Sequence, residues 1–222
     1  MAAGEIVVFG TEQIAELADF YFTHDSDYKV VAFTVDRDYL KDGTYLGRPV
    51  VPFDEVARHY PPAEYGIFVA VSYAKMNALR KAKFEASRAL GYQLVSYVST
   101  RATTFEDLTH GANCFILEDN TIQPFVRIGD DVTLWSGNHI GHHSTIGDHC
   151  FLASHVVVSG GVEIGESCIL GVNVTVRDHV RIGARCLLGA GAVLLSDAAE
   201  GGVYSPEATG RSRVPSDRVR VI

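Results

Sequence analysis

From residue 116 onward the chain repeats with a period of six. Ile116, Ile122, Ile128, Leu134, Ile140, Ile146, Leu152, Val158, Ile164, Leu170, Val176, Ile182, Leu188 and Leu194 hold every sixth position without a break. Glycine directly follows the aliphatic residue at 129, 141, 147, 165, 171, 183 and 189, and small or β-branched residues such as Val132, Ser144, Val156 and Ala192 stand four places after it. A hexapeptide period of this form predicts a parallel β-helix. Each hexapeptide makes one side of a triangular coil, eighteen residues complete a turn, aliphatic side chains stack inward and glycine is expected to ease the corners. Residues 98–115 read as the connection and first coil. The tail from "SDAAEGGVYSPEATG" onward loses the period and is expected to cap the helix, since an open end presents unpaired backbone.

The first half has different periods. "EIVVFG" (5–10), "KVVAFTVD" (29–36) and "YGIFVAVS" (65–72) are short apolar runs that predict buried strands, and "YQLVSYV" (92–98) closes the unit. Between them "EQIAELADFYF" (12–22) and "AKMNALRKAKFEASRALG" (74–91) carry apolar residues at helical spacing, with Gly91 as a C-cap. Strands separated by helices predict a small Rossmann-like parallel sheet. The expected architecture is therefore α/β plus β-helix, with a nucleotide-binding unit at 1–98 and a β-helix with its cap at 99–222. The first turn, "FGTEQI", lacks GxGxxG, which argues against a full dinucleotide site. A phosphate or base is expected beyond the strand ends, near Gly10, Thr11, Asp36 and Ser72; a turn glycine, a solvated aspartate and a capping serine would look the same.

Composition narrows the partners. A net charge of -8 without a basic stripe argues against nucleic acid. The start lacks a signal-peptide pattern and no apolar run approaches membrane length, so membrane insertion is not expected and the cytoplasm is the default. Cys114, Cys150, Cys168 and Cys186 are spaced by 36, 18 and 18 without a CxxC. Whole-coil spacing predicts one internal column of small apolar fillers, rather than metal ligands or nucleophiles. Asn120 and Asn138, one coil apart, are expected to stack as an amide pair.

Residues 134–161 contain five histidines. His142 and His143 follow the Ile140–Gly141 corner and should project outward; His149, His155 and His179 share the corner position of later hexapeptides, and His139 precedes an inward isoleucine. Successive corners point to different sides of the triangle, so scattered surface imidazoles are expected rather than a metal site. A single poised imidazole suits general-base catalysis.

With these motifs the whole chain resembles the sugar acyltransferases that join a Rossmann-like nucleotide-sugar domain to a left-handed β-helix, including enzymes that acetylate nucleotide-linked amino sugars and sialic-acid O-acetyltransferase relatives. The resemblance implies a catalytic histidine followed by an acidic residue shortly before an aliphatic–glycine pair. In "HHSTIG" that histidine matches His142, while His143 stands at the acidic place. It implies His142 as base, oriented by His143 or by a residue from another part of the chain, or else His139 as the base. Relatives carry a second histidine nine residues later, near the acetyl thioester; here that place is Phe151, with His155 close by. "VYSPEA" stands where relatives carry a coenzyme-facing "PAK" segment, which implies a coenzyme contact at Pro206; Gly160, Gly161, Gly189 and Gly191 would allow close approach of acetyl-CoA. The resemblance further implies a homotrimer with the coenzyme groove between subunits.

The expected activity is acetyl-CoA-dependent N-acetylation of a nucleotide-linked amino-deoxy sugar by direct attack on the thioester. The rival expectations are O-acetylation of sialic acid or another sugar, transfer of a longer acyl group, and a sugar-nucleotide-binding protein without transfer chemistry.

Overall fold

The computed structural model describes residues 4–211, 213–214 and 218. The first three residues, and eight residues near the end of the tail expected to form the cap, lie outside the described residues. Strands β1 (Glu5–Phe9), β2 (Lys29–Val35), β3 (Thr44–Tyr45), β4 (Arg48–Pro52), β5 (Gly66–Val69) and β6 (Gln93–Leu94) alternate with helices α1 (Gln13–His24), α2 (Val56–His59) and α3 (Ala78–Ala89). They form one sheet in the order β3-β4-β2-β1-β5-β6, parallel except for the β3–β4 hairpin. The central strands read as continuous apolar runs because helices cover both faces of the sheet. Ala15, Ala18 and Phe22 are the buried stripe of α1. The chain crosses from the β4 side to β5 over β1, which puts a topological switch at the C-terminal ends of β1 and β5. Helix α3 starts later than its apolar pattern suggests, because Lys75, Met76 and Asn77 all hold positive φ, from 53° to 64°.

Strand β7 (Tyr97–Val98) pairs with Phe115–Ile116. It is therefore the first strand of the β-helix, not the last of the α/β sheet. Residues 97–98, placed by the sequence before the expected boundary at 98 and 99, thus pair on the β-helix side of it.

From here each hexapeptide supplies a two-residue strand, and strands pair in parallel with the one eighteen residues on until the last coil, where Leu187 pairs with Val203 after sixteen. The first face runs Thr121, His139, Val157, Thr175, Val193. The second runs Thr109, Arg127, Thr145, Glu163, Arg181. The third runs Tyr97, Phe115, Thr133, Phe151, Ile169, Leu187, Val203. These residues point outward, and the aliphatic ladder beside them fills the interior. The four cysteines form the predicted internal column and are fully buried. Their thiols donate to backbone carbonyls of the next coil, as Cys150 does to Gly165 at 3.1 Å. Burial pushes the Cys114 thiol up to about 12 and the Cys150 thiol well above its ordinary range. Asn120 and Asn138 are both buried and share the Trp135 carbonyl, which makes the expected amide pair.

The corners differ from expectation. Every sixth residue from Asn113 to Gly191 has φ between 56° and 77°, the left-handed region. Those positions are filled by Asn, Asp, His and Gly, with Phe125, Ser167 and Arg185 as departures; histidine, asparagine and aspartate are the side chains that tolerate this region best. The glycines after the aliphatic residues do a different job. A Cβ on Gly141 would meet the backbone of Ser159 and Gly160 at 2.5–2.6 Å, and one on Gly147 would meet Glu166 and Gly165 at 2.8 Å. They are small because the next coil lies on top of them, not because the chain turns there.

The α/β domain seats on the third face, where Phe22 meets Tyr97 and Phe68 meets Phe115 at ring distances of 5.7 and 5.3 Å. Asp25, just past α1, ties this joint. It accepts from Tyr97 Oη at 2.5 Å, Ser99 Oγ at 3.0 Å, Thr100 N at 3.0 Å and the Thr100 hydroxyl. Burial raises its pKa, but the hydrogen bonds from Thr100, Tyr97 and Ser99 outweigh it and hold the carboxyl at about 2. The folded value lies below the unfolded one, so the contribution to stability is present above about pH 4 and fades as pH falls toward 2. Asp25→Asn is expected to lower stability by about 1–2 kcal/mol at pH 7, with solvent screening keeping the loss at that end of the range. Urea unfolding at pH 7 and pH 3 checks this: the gap to the native protein should narrow at pH 3, and an equal gap at both would remove the carboxylate from the account.

Candidate active site

The turn from the first face to the second carries His142 and His143, both exposed. Its backbone is fixed from both neighbouring coils. His142 N donates to Gln123 Oε1 at 2.9 Å, His143 N to the Pro124 carbonyl at 3.2 Å, and Gly161 N to the His142 carbonyl at 2.8 Å. Below the turn, Ser144 is buried and its hydroxyl donates to the Ser159 carbonyl at 3.0 Å. The His142 ring lies over Gly160, where an added Cβ would sit 2.7 Å from Cε1 and Nε2. Nδ1 of His142 faces Nδ1 of His143 at 3.1 Å, and the Phe125 ring packs against the His143 ring at a 43° tilt with centroids 4.6 Å apart. An exposed imidazole on an immobile turn is suited to taking a proton from a bound reactant.

The other expected site residues scatter. His139 is half-buried on the first face, between Thr121 and Val157. His155 lies over Gly137 on the corner between the third and first faces, while His179 lies over Gly161, one coil below His143. Gly160 and Gly161 thus do lie beneath the His142–His143 turn. Gly189 sits beside Ser205, Gly191 is a positive-φ corner, and Pro206 is exposed beyond the last strand. Beside the turn, the second face holds a groove of about 680 Å³ lined by Thr145, Glu163, Gly165, Arg181, Gly183 and Asp197.

Two expectations are corrected. Phe151, expected beside the thioester, is 5% exposed and packs under the α/β domain against Tyr73 at 4.8 Å and Trp135 at 6.4 Å. Its strand belongs to the third face, which that domain covers. His149, expected among the surface imidazoles, is buried: its Nδ1 donates to Asp131 Oδ2 at 2.9 Å. Arg80 of α3, 1% exposed, reaches the same carboxylate at 3.1 Å and also donates to the Asp131, His149 and Cys150 carbonyls at 2.9–3.1 Å. Asn113 completes the cluster, donating to Asp131 Oδ1 at 2.7 Å while accepting from Val69 N at 2.7 Å. This network joins β5 and α3 to three successive coils. It went unseen in the sequence, where Arg80 reads as a solvated helix residue.

At the α/β switch point Gly10 has φ +124°, and a Cβ there would lie 2.8 Å from the Ala70 carbonyl oxygen. Gly10 and Ser72 flank this point after β1 and β5. Asp36, after β2, is held by Lys83 Nζ at 2.5 Å, and the same ammonium lies 5.2 Å from the Phe9 and Phe53 ring centres. Thr11 lines a neighbouring cleft of about 220 Å³ with Glu12, Val35, Tyr39, Lys41 and Tyr45. Among the described residues no three histidine, cysteine, aspartate or glutamate side chains converge on a metal position, and no helix is long and apolar enough to cross a membrane.

Residues 125–160 and 161–196 match the bacterial transferase hexapeptide family (six repeats), and residues 144–177 match the hexapeptide repeat of succinyl-transferase. No curated protein matches the chain. Among solved structures, the acetyltransferase domain of PglB from Neisseria gonorrhoeae is similar with a TM-score of 0.81 at 22% identity, over 91% of this chain and 96% of that one. PerB from Caulobacter crescentus, solved with CoA and GDP-perosamine, is similar with a TM-score of 0.78 at 25% identity, over 93% and 95% of the two chains. WeeI from Acinetobacter baumannii gives 0.67 at 18% identity, over 90% and 95%. The likeness takes in the small α/β domain and the β-helix together. The chain thus carries the bacterial transferase hexapeptide repeat on a left-handed β-helix, a fold it shares end to end with these solved structures.

Proposed function

We propose that the protein transfers an acetyl group from acetyl-CoA to the amine of an amino-deoxy sugar carried on a nucleotide. The observation that carries this reading is the end-to-end likeness to PerB, whose structure holds CoA and GDP-perosamine. In the reaction, the lone pair of the neutral sugar amine attacks the thioester carbonyl and forms the N–C bond. His142 Nε2 accepts the amine proton, the tetrahedral intermediate collapses, the C–S bond breaks, and the proton passes to the departing CoA thiolate. No acyl-enzyme is needed. All four cysteines are buried, which supports direct transfer over a thiol nucleophile. The crevice at Gly10, Thr11, Asp36 and Ser72 is the proposed nucleotide seat, and Gly160, Gly161, Gly189, Gly191, His155 and Pro206 are the proposed coenzyme side. Holding both reactants supplies proximity that a single base lacks. The cytoplasm, where thiols stay reduced, fits this chemistry.

The experiment is CoA release from acetyl-CoA with a panel of nucleotide-linked amino sugars and free sialic acid, with product mass locating the acetyl group. Release that depends on a nucleotide-linked amine is expected. Release with sialic acid alone would move the assignment to O-acetylation.

The proposed assembly is a homotrimer packed on the first face. Its outward residues, Thr121, His139, Val157, Thr175 and Val193, carry no carboxylate, lysine or arginine, and Val193 is 63% exposed. The second face shows Arg127, Glu163 and Arg181 to solvent instead, and the α/β domain covers the third. Sedimentation is expected to give three chain masses, with Val193→Arg driving the protein toward single chains. Single chains at micromolar native protein would end this assignment.

A further inference from the structure

We propose that His179 is a second catalytic imidazole of the site, donating a hydrogen bond to the thioester carbonyl of acetyl-CoA. This rests on the acetyl-transfer reading above and deepens it on the donor side, whichever acceptor is used.

The resemblance implied a second imidazole beside the thioester, and the fold removes its expected bearer. Phe151 is buried under the α/β domain, and His155 stands on the edge between the third and first faces. His179 stands between a first-face strand and a second-face strand, on the edge that carries His142 and His143.

The dipeptide Gly160–Gly161 brings two rings of that edge together. A Cβ on Gly160 would lie 2.7 Å from Cε1 and Nε2 of His142, and one on Gly161 would lie 2.5 Å from Nδ1 of His179. The two imidazoles therefore take the volume of two adjacent side chains, one reaching in from the preceding coil and one from the following coil. The same dipeptide bolts both residues down. Gly161 N donates to the His142 carbonyl at 2.8 Å, and His179 N donates to the Gly160 carbonyl at 3.0 Å. Backbone conformation alone does not ask for glycine at 161, since asparagine holds equivalent corners at 113 and 173. What glycine adds there is room for the His179 ring.

His179 is also available to a ligand. Its side chain is 78% exposed, and Asp178 Oδ2, 4.0 Å from Nε2, is beyond hydrogen-bond length. An imidazole carries an N–H in either tautomer. The edge borders the groove on the second face: Thr145, Glu163 and Arg181, which line it, follow the corner residues 143, 161 and 179 by two positions.

The two rings then divide the work. As the amine nitrogen bonds to the thioester carbon, the carbonyl π pair moves onto oxygen and His142 takes the amine proton. The His179 N–H stabilises that oxygen without giving up its own proton, and the charge returns to the carbonyl as the C–S bond breaks. A donor aimed at charge that develops on the way to the transition state acts on kcat more than on binding.

The helix itself names the variants. Glycine holds equivalent corners at 137 and 161 and aspartate at 119 and 131, so both suit the backbone at 179. His179→Gly removes the ring, and His179→Asp leaves a carboxylate that accepts but does not donate. Each is expected to lower kcat on the order of 10²-fold, the low end for removing one donor to a developing oxyanion. The unfolding midpoint and the Kd for CoA should stay near native. Acetyl-CoA labelled with carbon-13 at the carbonyl reads the contact without any acceptor: its bound infrared stretch should lie lower on the native protein than on either variant.

Native kcat in both variants overturns the proposal. So does an unchanged carbonyl stretch while the labelled acetyl-CoA stays bound. A raised KM for the acceptor with that stretch unchanged would place His179 on the acceptor and overturn it too. Failure of the acetyl-transfer reading looks different: the native protein would then bind no acetyl-CoA at all, and His179 would fall with that reading.

Discussion

His142→Ala is expected to lower kcat for acetyl transfer by about 10²- to 10⁴-fold, the range for removing a positioned general base. The loss should appear in kcat rather than in the affinity for acetyl-CoA or acceptor, because the proton is moved only on the way to the transition state. The substitution suits the test structurally. His142 is exposed, its backbone N–H is held by Gln123, and its carbonyl is held by Gly161 N, and alanine keeps both bonds. The unfolding midpoint should therefore stay near that of the native protein. Titration calorimetry with CoA separates binding from chemistry. A fall of less than tenfold, with folding and binding intact, would take the role of base away from His142. His139, half-buried on the first face, would then be the residue to test.

The second large effect lies at the joint between the domains and concerns stability. Asp131→Asn is expected to destabilise the protein by about 3–5 kcal/mol, the cost of leaving one partner of a buried ion pair uncompensated. Asparagine fits the left-handed corner, so backbone strain is not the cause. What changes is that the Arg80 guanidinium, 1% exposed, keeps its three backbone carbonyls but loses its counter-charge. Arg80→Met should cost a similar amount by stranding Asp131 with only His149 and Asn113 as partners. The two substitutions together should cost clearly less than their sum, since no charge is then left unpaired. Urea unfolding at one fixed chain concentration measures all three, which keeps any effect of subunit association constant. Additive losses of under 1 kcal/mol each would mean that the apolar contacts around Phe115 and Phe151 hold the joint without the network.

The uneven legibility of the sequence follows from the range of the interactions. The aliphatic ladder from Ile116 to Leu194 could be read directly, because a slip of one residue would turn it outward and the pattern admits one register. The cysteine column followed from the same register, as each thiol lies a whole number of coils from the next. The positions of the glycines are legible in the sequence, but their cause is not. Composition shows that Gly141 and Gly147 are small, but only the packed coils show that the next turn of backbone lies above them. The positive-φ corner was present in the sequence as a six-residue recurrence of His, Asn, Asp and Gly, masked by the stronger aliphatic signal. Arg80 and Phe151 could not be read locally. Each looks solvent-facing on its own element and is buried by a partner far away in the chain, Asp131 for one and Tyr73 for the other. At the proposed site, the turn itself was legible, whereas the Nδ1-to-Nδ1 approach of its two imidazoles depends on the direction of a single corner. The pairing of strand β7 with the β-helix is hidden for a related reason: an apolar dipeptide does not reveal which neighbour it will pair with.

The left-handed corners also bear on how such a molecule acquires new chemistry. The backbone asks for a short list of side chains at every sixth position, and most of that list are acids, imidazoles and amides. Each edge of the prism is therefore stocked with reactive groups for conformational reasons, before any substrate has a say. Exchanging one for another leaves the coil unchanged, so the alphabet of an active site can vary along an edge while the scaffold stays constant. A ring beside the proposed base, a donor to a buried aspartate and an exposed ring on the proposed coenzyme side, as at His143, His149 and His155, are then neighbouring choices in one inventory.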